Sequence, residues 1–152
     1  MMKVLFVCHG NICRSAAAEV VFNHLAQRAG LDGALQARSA AATREEIGND
    51  IYPPMKRTLL AHGYACPPHA ARQTVRADYE KYDCIIGMDD ENMRDMGRIY
   101  GGDPARKLSR LMAWANLPGA SVADPWYTRD FEGALRDIEA GCRGLLAALR
   151  EE

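Results

Sequence analysis

Eight consecutive residues near the start of the chain, Cys8-His9-Gly10-Asn11-Ile12-Cys13-Arg14-Ser15, combine the groups needed to attack phosphorus. A loop between a strand and a helix N-terminus can turn successive backbone N–H groups inward and form an anion-binding concavity. Gly10 and Asn11 are the residue types that best tolerate positive φ, which so tight a cradle demands. Arg14 adds a planar fork of donors matched to two phosphate oxygens. Ser15 can turn its hydroxyl back on the cysteine sulfur. A helix N-terminus and an adjacent guanidinium also favour the thiolate of Cys8, so the cradle would hold a nucleophile facing its own anion site. Transfer from an alcohol or phenol also requires an acid for the leaving oxygen. Asp124-Pro125-Trp126-Tyr127 offers one, with Pro125 stiffening the backbone beside Asp124 and two aromatics to line a flat ring. Each signal has a plainer reading: a buried structural cysteine with a solvated arginine, and an ordinary Asp-Pro turn before a helix. The two become informative together.

The elements around these residues place the loop. Lys3 to Val7 is a continuous apolar run of strand length, as in a strand covered on both faces. After the loop, Ala18, Val21, Phe22, Leu25 and Ala29 share one helical face, and Gly30 ends that helix. Leu35 to Ser39 reads as a second strand. Pro53-Pro54 opens a helix carrying Met55 and Leu59 that stops before Gly63. Tyr82 to Met88 is a third strand, with Asp89 to Asn92 suited to a helix start, and Lys107 to Met112 a fourth. From Phe131 the spacing of Leu135, Ile138, Cys142, Leu145, Leu146 and Leu149 predicts a closing amphipathic helix. Alternating strands and helices predict an α/β fold: a parallel sheet with helices on both faces, its ligand beyond the carboxyl ends of the strands, where Cys8 falls.

At 152 residues the chain, 1–152, is expected to form a single domain. No apolar run approaches the ~20 residues of a membrane helix, and the N-terminus has no signal-peptide pattern. A net charge of −1 gives no reason to expect nucleic acid or a membrane surface as partner. Five cysteines scattered at 8, 13, 66, 84 and 142 fit a reducing cytoplasm better than a disulfide framework. No Cys-x-x-Cys pair or His spacing marks a metal site. His24 and His62 fall in predicted helices and read as structural, and Trp114 as packing.

Taken together, the motifs resemble the low-molecular-weight protein tyrosine phosphatases over nearly the whole chain. The residues that carry the resemblance are Val4-Leu5-Phe6-Val7 running into Cys8 to Ser15, Ser39-Ala40-Ala41, Glu46 to Asn49, His69 to Gln73, Met88-Asp89 and Asp124 to Tyr127. The resemblance implies a four-stranded parallel sheet, no cofactor and a two-step reaction on phosphotyrosyl proteins or small aryl phosphates. Cys8 would attack phosphorus while Asp124 protonates the leaving phenol, and Asp124 would then act as base for the water that hydrolyses the phosphocysteine. Phosphate would sit on the loop from His9 to Ser15, with Glu45, Trp126 and Tyr127 at the rim. Asn11, Ser39 and His69 match positions that hold the loop in shape, and Asp89 one that pairs with the arginine. In the family, a cysteine at the place of Cys13 closes a reversible disulfide with the nucleophile; a small apolar filler is the plainer reading. Bacterial members often oppose tyrosine kinases.

Departures from the pattern are His9 for an apolar residue, Ala16 for proline, Glu45 for an aromatic and Trp126 for tyrosine. None removes a reacting group, but His9 and Glu45 bear on specificity, and an acidic Glu45 should disfavour acidic flanks. Three rivals stand beside this reading. An arsenate reductase on the same scaffold needs two neighbouring cysteines after the third strand, and Cys84 has no second cysteine near it in the chain. A protein arginine phosphatase favours threonine where Ile12 stands. A non-catalytic phosphate-binding module could dispense with Cys8 or Asp124.

Overall fold

The computed structural model describes residues 1–150. Four strands, β1 (Met2–Cys8), β2 (Leu35–Ala41), β3 (Cys84–Gly87) and β4 (Leu108–Arg110), form one parallel sheet in the order β2-β1-β3-β4. The central strand explains the two-sided cover. Val4 and Phe6 point into one layer, Leu5 and Val7 into the other, and all four are fully buried. The first layer holds Phe22 of α1 (Arg14–Arg28), Met55 and Leu59 of α2 (Pro53–Ala61) and Leu135, Ile138 and Leu145 of α6 (Phe131–Arg150). Tyr79 of α3 (Asp78–Lys81) and Met96 and Tyr100 of α4 (Asp90–Tyr100) fill the second. A further short helix, α5 (Pro125–Thr128), precedes α6. No helix among the described residues is long and apolar enough to cross a membrane.

Two strands are shorter than the sequence predicts. β3 begins at Cys84 because Tyr82 closes α3, and Met88 leaves the ladder to bond Asn92 Oδ1 through its N–H (3.0 Å) and the Val122 N–H through its carbonyl (2.9 Å). β4 ends at Arg110, and Leu111 and Met112 belong to a 3-10 turn, Leu111–Ala115. That turn lies against α6 at two glycines. A Cβ on Gly144 would sit 1.8 Å from the Trp114 carbonyl oxygen, and one on Gly141 2.4 Å from Leu111 Cγ. Glycine inside a helix costs about 1 kcal/mol relative to alanine, and here it permits the backbone approach that bends the chain off the sheet edge.

Because β2 lies on one side of β1 and β3 on the other, the crossovers diverge at the carboxyl ends of β1 and β3. The Cys8 loop and Met88-Asp89 meet at that crevice.

Candidate active site

The loop from Cys8 to Arg14 is fastened through Asn11. Its φ of 61° turns the chain into the left-handed region, and the residue has no exposed surface. Asn11 Nδ2 donates to Ser15 Oγ (2.9 Å), Oδ1 accepts from the Arg72 N–H (3.2 Å), and its carbonyl accepts from His69 Nε2 (2.6 Å). With Ser15 Oγ accepting from Asn11, the serine hydrogen is left to point at Cys8 Sγ, 3.0 Å away. The Ser15 N–H at the start of α1 points at the same sulfur from 3.4 Å. Gly10 does not take the positive φ expected for it. Its lack of a side chain serves a close approach instead, since a Cβ there would lie 3.2 Å from Glu46 Cγ.

The segment that supplies His69 and Arg72 is itself held by a buried carboxylate. Asp78 accepts from both terminal nitrogens of Arg72 (3.0 and 3.3 Å), from the Thr74 hydroxyl (2.7 Å) and from the Val75 N–H (3.0 Å). Burial alone would push the Asp78 carboxyl up, but these donors together hold it below the ordinary carboxylate range.

Arg14 is almost fully buried and aimed from the opposite wall. Its Nη1 donates to Asp89 Oδ2 (2.7 Å) and to the Val122 carbonyl (2.9 Å), while Nη2 lies 3.5 Å from Asp124 Oδ2. Burial works against the guanidinium charge, yet Cys8, Asp89 and Asp124 outweigh it and raise its pKa. Asp89 is fixed in turn as the N-cap of α4, accepting from the Asn92 N–H (2.8 Å). Asp124 caps α5 in the same way through the Trp126 N–H (3.0 Å). Two acidic N-caps from separate segments thus converge on one arginine.

Above the loop lies a cleft of about 260 Å³ lined by Cys8, His9, Gly10, Ile12, Cys13, Arg14, Glu45, Glu46, Tyr52, Asp124, Trp126 and Tyr127. At its rim His9 Nε2 lies 2.7 Å from Glu45 Oε2 and Nδ1 lies 3.3 Å from Glu91 Oε1, an ion-pair distance. Burial lowers the His9 pKa, but Glu45 first and then Glu91 more than offset it, so it stands above the usual 6.5. Cys13 also faces the cleft, and burial, followed by the neighbouring Cys8, pushes its thiol pKa up. None of the five cysteines is in a disulfide. Among the described residues no group of three or more His, Cys, Asp or Glu side chains is placed to hold a metal ion.

Of the residues singled out in the sequence, Ser39 lies elsewhere. Buried on β2, it donates to Glu19 Oε1 of α1 (2.6 Å) rather than to the loop, because its strand position faces the helix flank one turn past Ser15. His24 stacks edge-on with Tyr64 (4.9 Å), His62 lies 2.7 Å from Glu132, and Trp114 donates to Ser109. Tyr52 is a cleft residue with no motif to announce it. Standing just before Pro53-Pro54, it donates its N–H to the Ile12 carbonyl (2.7 Å), and its ring lies 5.0 Å from that of Trp126. Its hydroxyl accepts from Arg129 Nη1 (3.1 Å). Arg72, although inside the His69 to Gln73 segment, had no role assigned in the sequence because it bonds Asn11 through its backbone N–H, and Glu91 sits in a charged helix start that reads as solvated.

Comparisons with known proteins agree with this geometry. Residues 3–152 match the family model for low molecular weight phosphotyrosine protein phosphatase. The chain is 37% identical over 153 residues to the low molecular weight protein-tyrosine-phosphatase YfkJ of Bacillus subtilis, covering 100% of this chain and 98% of the relative. It is 36% identical to a low molecular weight protein-tyrosine-phosphatase of Streptomyces coelicolor, over 99% of this chain and 94% of the relative. The crystal structure of YfkJ superposes with a TM-score of 0.95, covering 99% of this chain and 96% of that one. A cradle closed by Cys8, Arg14 and Ser15, on this sheet and with these relatives, leads to one conclusion: the chain belongs to the low molecular weight phosphotyrosine protein phosphatase family.

Proposed function

We propose that this chain hydrolyses phosphotyrosyl proteins and small aryl phosphates through a phosphocysteine on Cys8. The observation that carries the reading is the pair of donors on Cys8 Sγ, the Ser15 hydroxyl and the Ser15 N–H, opposite a buried Arg14. These donors hold the sulfur in place at the floor of the loop, and the guanidinium has further N–H groups for a phosphate dianion. In the first step the Cys8 thiolate forms an S–P bond as the P–O bond to the phenol breaks. The electron pair passes to the leaving oxygen, which takes the proton of the Asp124 carboxyl. In the second, water attacks phosphorus and gives its proton to Asp124 while the S–P pair returns to sulfur. Backbone N–H groups of the loop and Arg14 stabilise the charge on the equatorial oxygens in both steps. Trp126, Tyr127 and Tyr52 form the walls for the ring, and His9, Ile12, Glu45 and Glu46 the rim.

Under peroxide the same sulfur would pass to the sulfenic acid, and the Cys13 thiol would condense with it, losing water and forming a disulfide that thiols reverse. A reducing cytoplasm is the compartment that fits these cysteines, and a tyrosine kinase acting on the same proteins is the implied counterpart. The test is turnover of p-nitrophenyl phosphate in EDTA. Cys8→Ser abolishes it and Asp124→Asn lowers kcat by about 10²–10⁴. Undiminished turnover by Cys8→Ser, or loss of wild-type turnover on chelation, refutes the mechanism.

A further inference from the structure

The cleft does not end at Tyr52. A second groove, of about 500 Å³, continues beyond it, shares Ile12, Glu46 and Tyr52 with the cleft, and runs along α2 to Arg57 and Leu60. The ridge between the two is fixed by backbone, since the Tyr52 N–H donates to the Ile12 carbonyl at 2.7 Å. Ile51, Pro53 and Leu60 give the groove an apolar strip beside those shared residues, edged by Asn49, Asp50, Lys56 and Arg57. Leu60 is 53% exposed in this groove, and Trp126 and Tyr127, also exposed, line the adjoining cleft. The formal charges of the groove cancel: Lys56 donates to Asp50 (2.8 Å), and Glu46 and Arg57 add one charge of each sign to the lining. A neutral apolar occupant suits such a groove better than a charged one.

We propose that this groove is a subsite for the polypeptide flanking the phosphotyrosine, taking an apolar side chain two residues from it. The inference rests on the phosphotyrosine reading above and names the substrate feature that the chain selects. In an extended peptide the side chains of residues i and i+2 project to the same side, about 6.6–6.8 Å apart, whereas that of i+1 faces away. With the phosphotyrosine ring in the cleft, the next side chain to face the protein is therefore two positions along. On the α2 side the surface it meets is the groove across the Ile12–Tyr52 ridge.

The experiment compares kcat/KM for three glycine-based phosphotyrosyl peptides: one with leucine two residues before the phosphotyrosine, one with leucine two residues after, and one with neither. The wild type turns over one of the leucine peptides about fivefold faster than the all-glycine peptide, as partial burial of a leucine side chain implies. Leu60→Asp erases that preference and leaves p-nitrophenyl phosphate turnover unchanged, and Leu60→Ala, a milder change at the same exposed site, reduces it. If neither leucine peptide is preferred, or the preference survives both substitutions, the subsite is refuted. Failure of the wild type to hydrolyse p-nitrophenyl phosphate would instead refute the phosphatase reading on which it rests.

Discussion

Replacing Asn11 separates the two things that residue does. Asn11→Gly keeps the left-handed backbone and the His69 bond to its carbonyl, but removes the side-chain bonds to Ser15 Oγ and from the Arg72 N–H. Each lost bond is worth about 1 kcal/mol, and a buried partner left without one costs about 1–3 kcal/mol. Glycine should therefore destabilise the protein by about 2–4 kcal/mol, part of it borne by the Arg72 N–H and part by the Ser15 hydroxyl. Asn11→Ala removes the same two bonds and adds a Cβ at φ 61°. That conformation costs alanine about 1–2 kcal/mol. About 0.4–1 kcal/mol of this is recovered because the unfolded alanine chain has less entropy to lose than glycine. Taking the middle of each range, alanine should thus fall about 0.8 kcal/mol below glycine. Urea unfolding reads the order directly, wild type above glycine above alanine. Both variants also free the Ser15 hydroxyl from its orientation toward Cys8, so kcat/KM on p-nitrophenyl phosphate should drop on the order of 10²-fold in each. Alanine as stable as glycine would show that the backbone at position 11 is not the constraint described here. Wild-type kcat/KM in both would show that the Asn11–Ser15 bond does nothing for the sulfur.

Three further predictions follow from the same contacts. Asp89→Asn keeps its one oxygen for the Asn92 N–H but turns an amide NH2, itself a donor, toward Arg14 Nη1, so the charge-assisted bond to Arg14 is lost and kcat/KM should fall at least about tenfold; an unchanged value refutes the role. Ser39→Ala should cost about 1.5–3 kcal/mol of stability through the stranded Glu19 carboxylate while leaving kcat as it was; a fall in kcat without loss of stability would place Ser39 on the loop after all. His9 should titrate above 6.5 by NMR and drop toward it in Glu45→Gln. Because its folded pKa is the higher one, its share of stability is complete below 6.5 and disappears as pH rises through the folded value; a His9 titrating below 6.5 contradicts the clasp with Glu45 and Glu91.

The parts legible in the sequence were those where local chemistry is overdetermined. Lys3 to Val7 reads as a strand covered on both faces and lies within β1, and the Cys8 to Ser15 loop falls where that strand and the following helix put it. The ends of β3 and β4 were not legible, because tertiary packing set them: Met88 is drawn to Asn92 and Val122, and Leu111 to the glycine face of α6. Ser39 shows where a motif falls short, since the residue type was matched but its partner is chosen by strand register against α1. Tyr52 was silent, and Arg72 went without a role inside its segment, for another reason. Their contributions to the loop run largely through backbone N–H groups, which every residue possesses.

The central claim is that Cys8 carries the phosphoryl group. Rapid quenching of a single turnover with an aryl phosphate, followed by peptide mass spectrometry, tests it. In Asp124→Asn with p-nitrophenyl phosphate, whose leaving anion departs without an acid, the second step is the one slowed, so a phosphoryl group should accumulate on Cys8 and be absent from Cys8→Ala. Continued turnover with no phosphoryl group on Cys8, or with the group on another residue, would contradict the account.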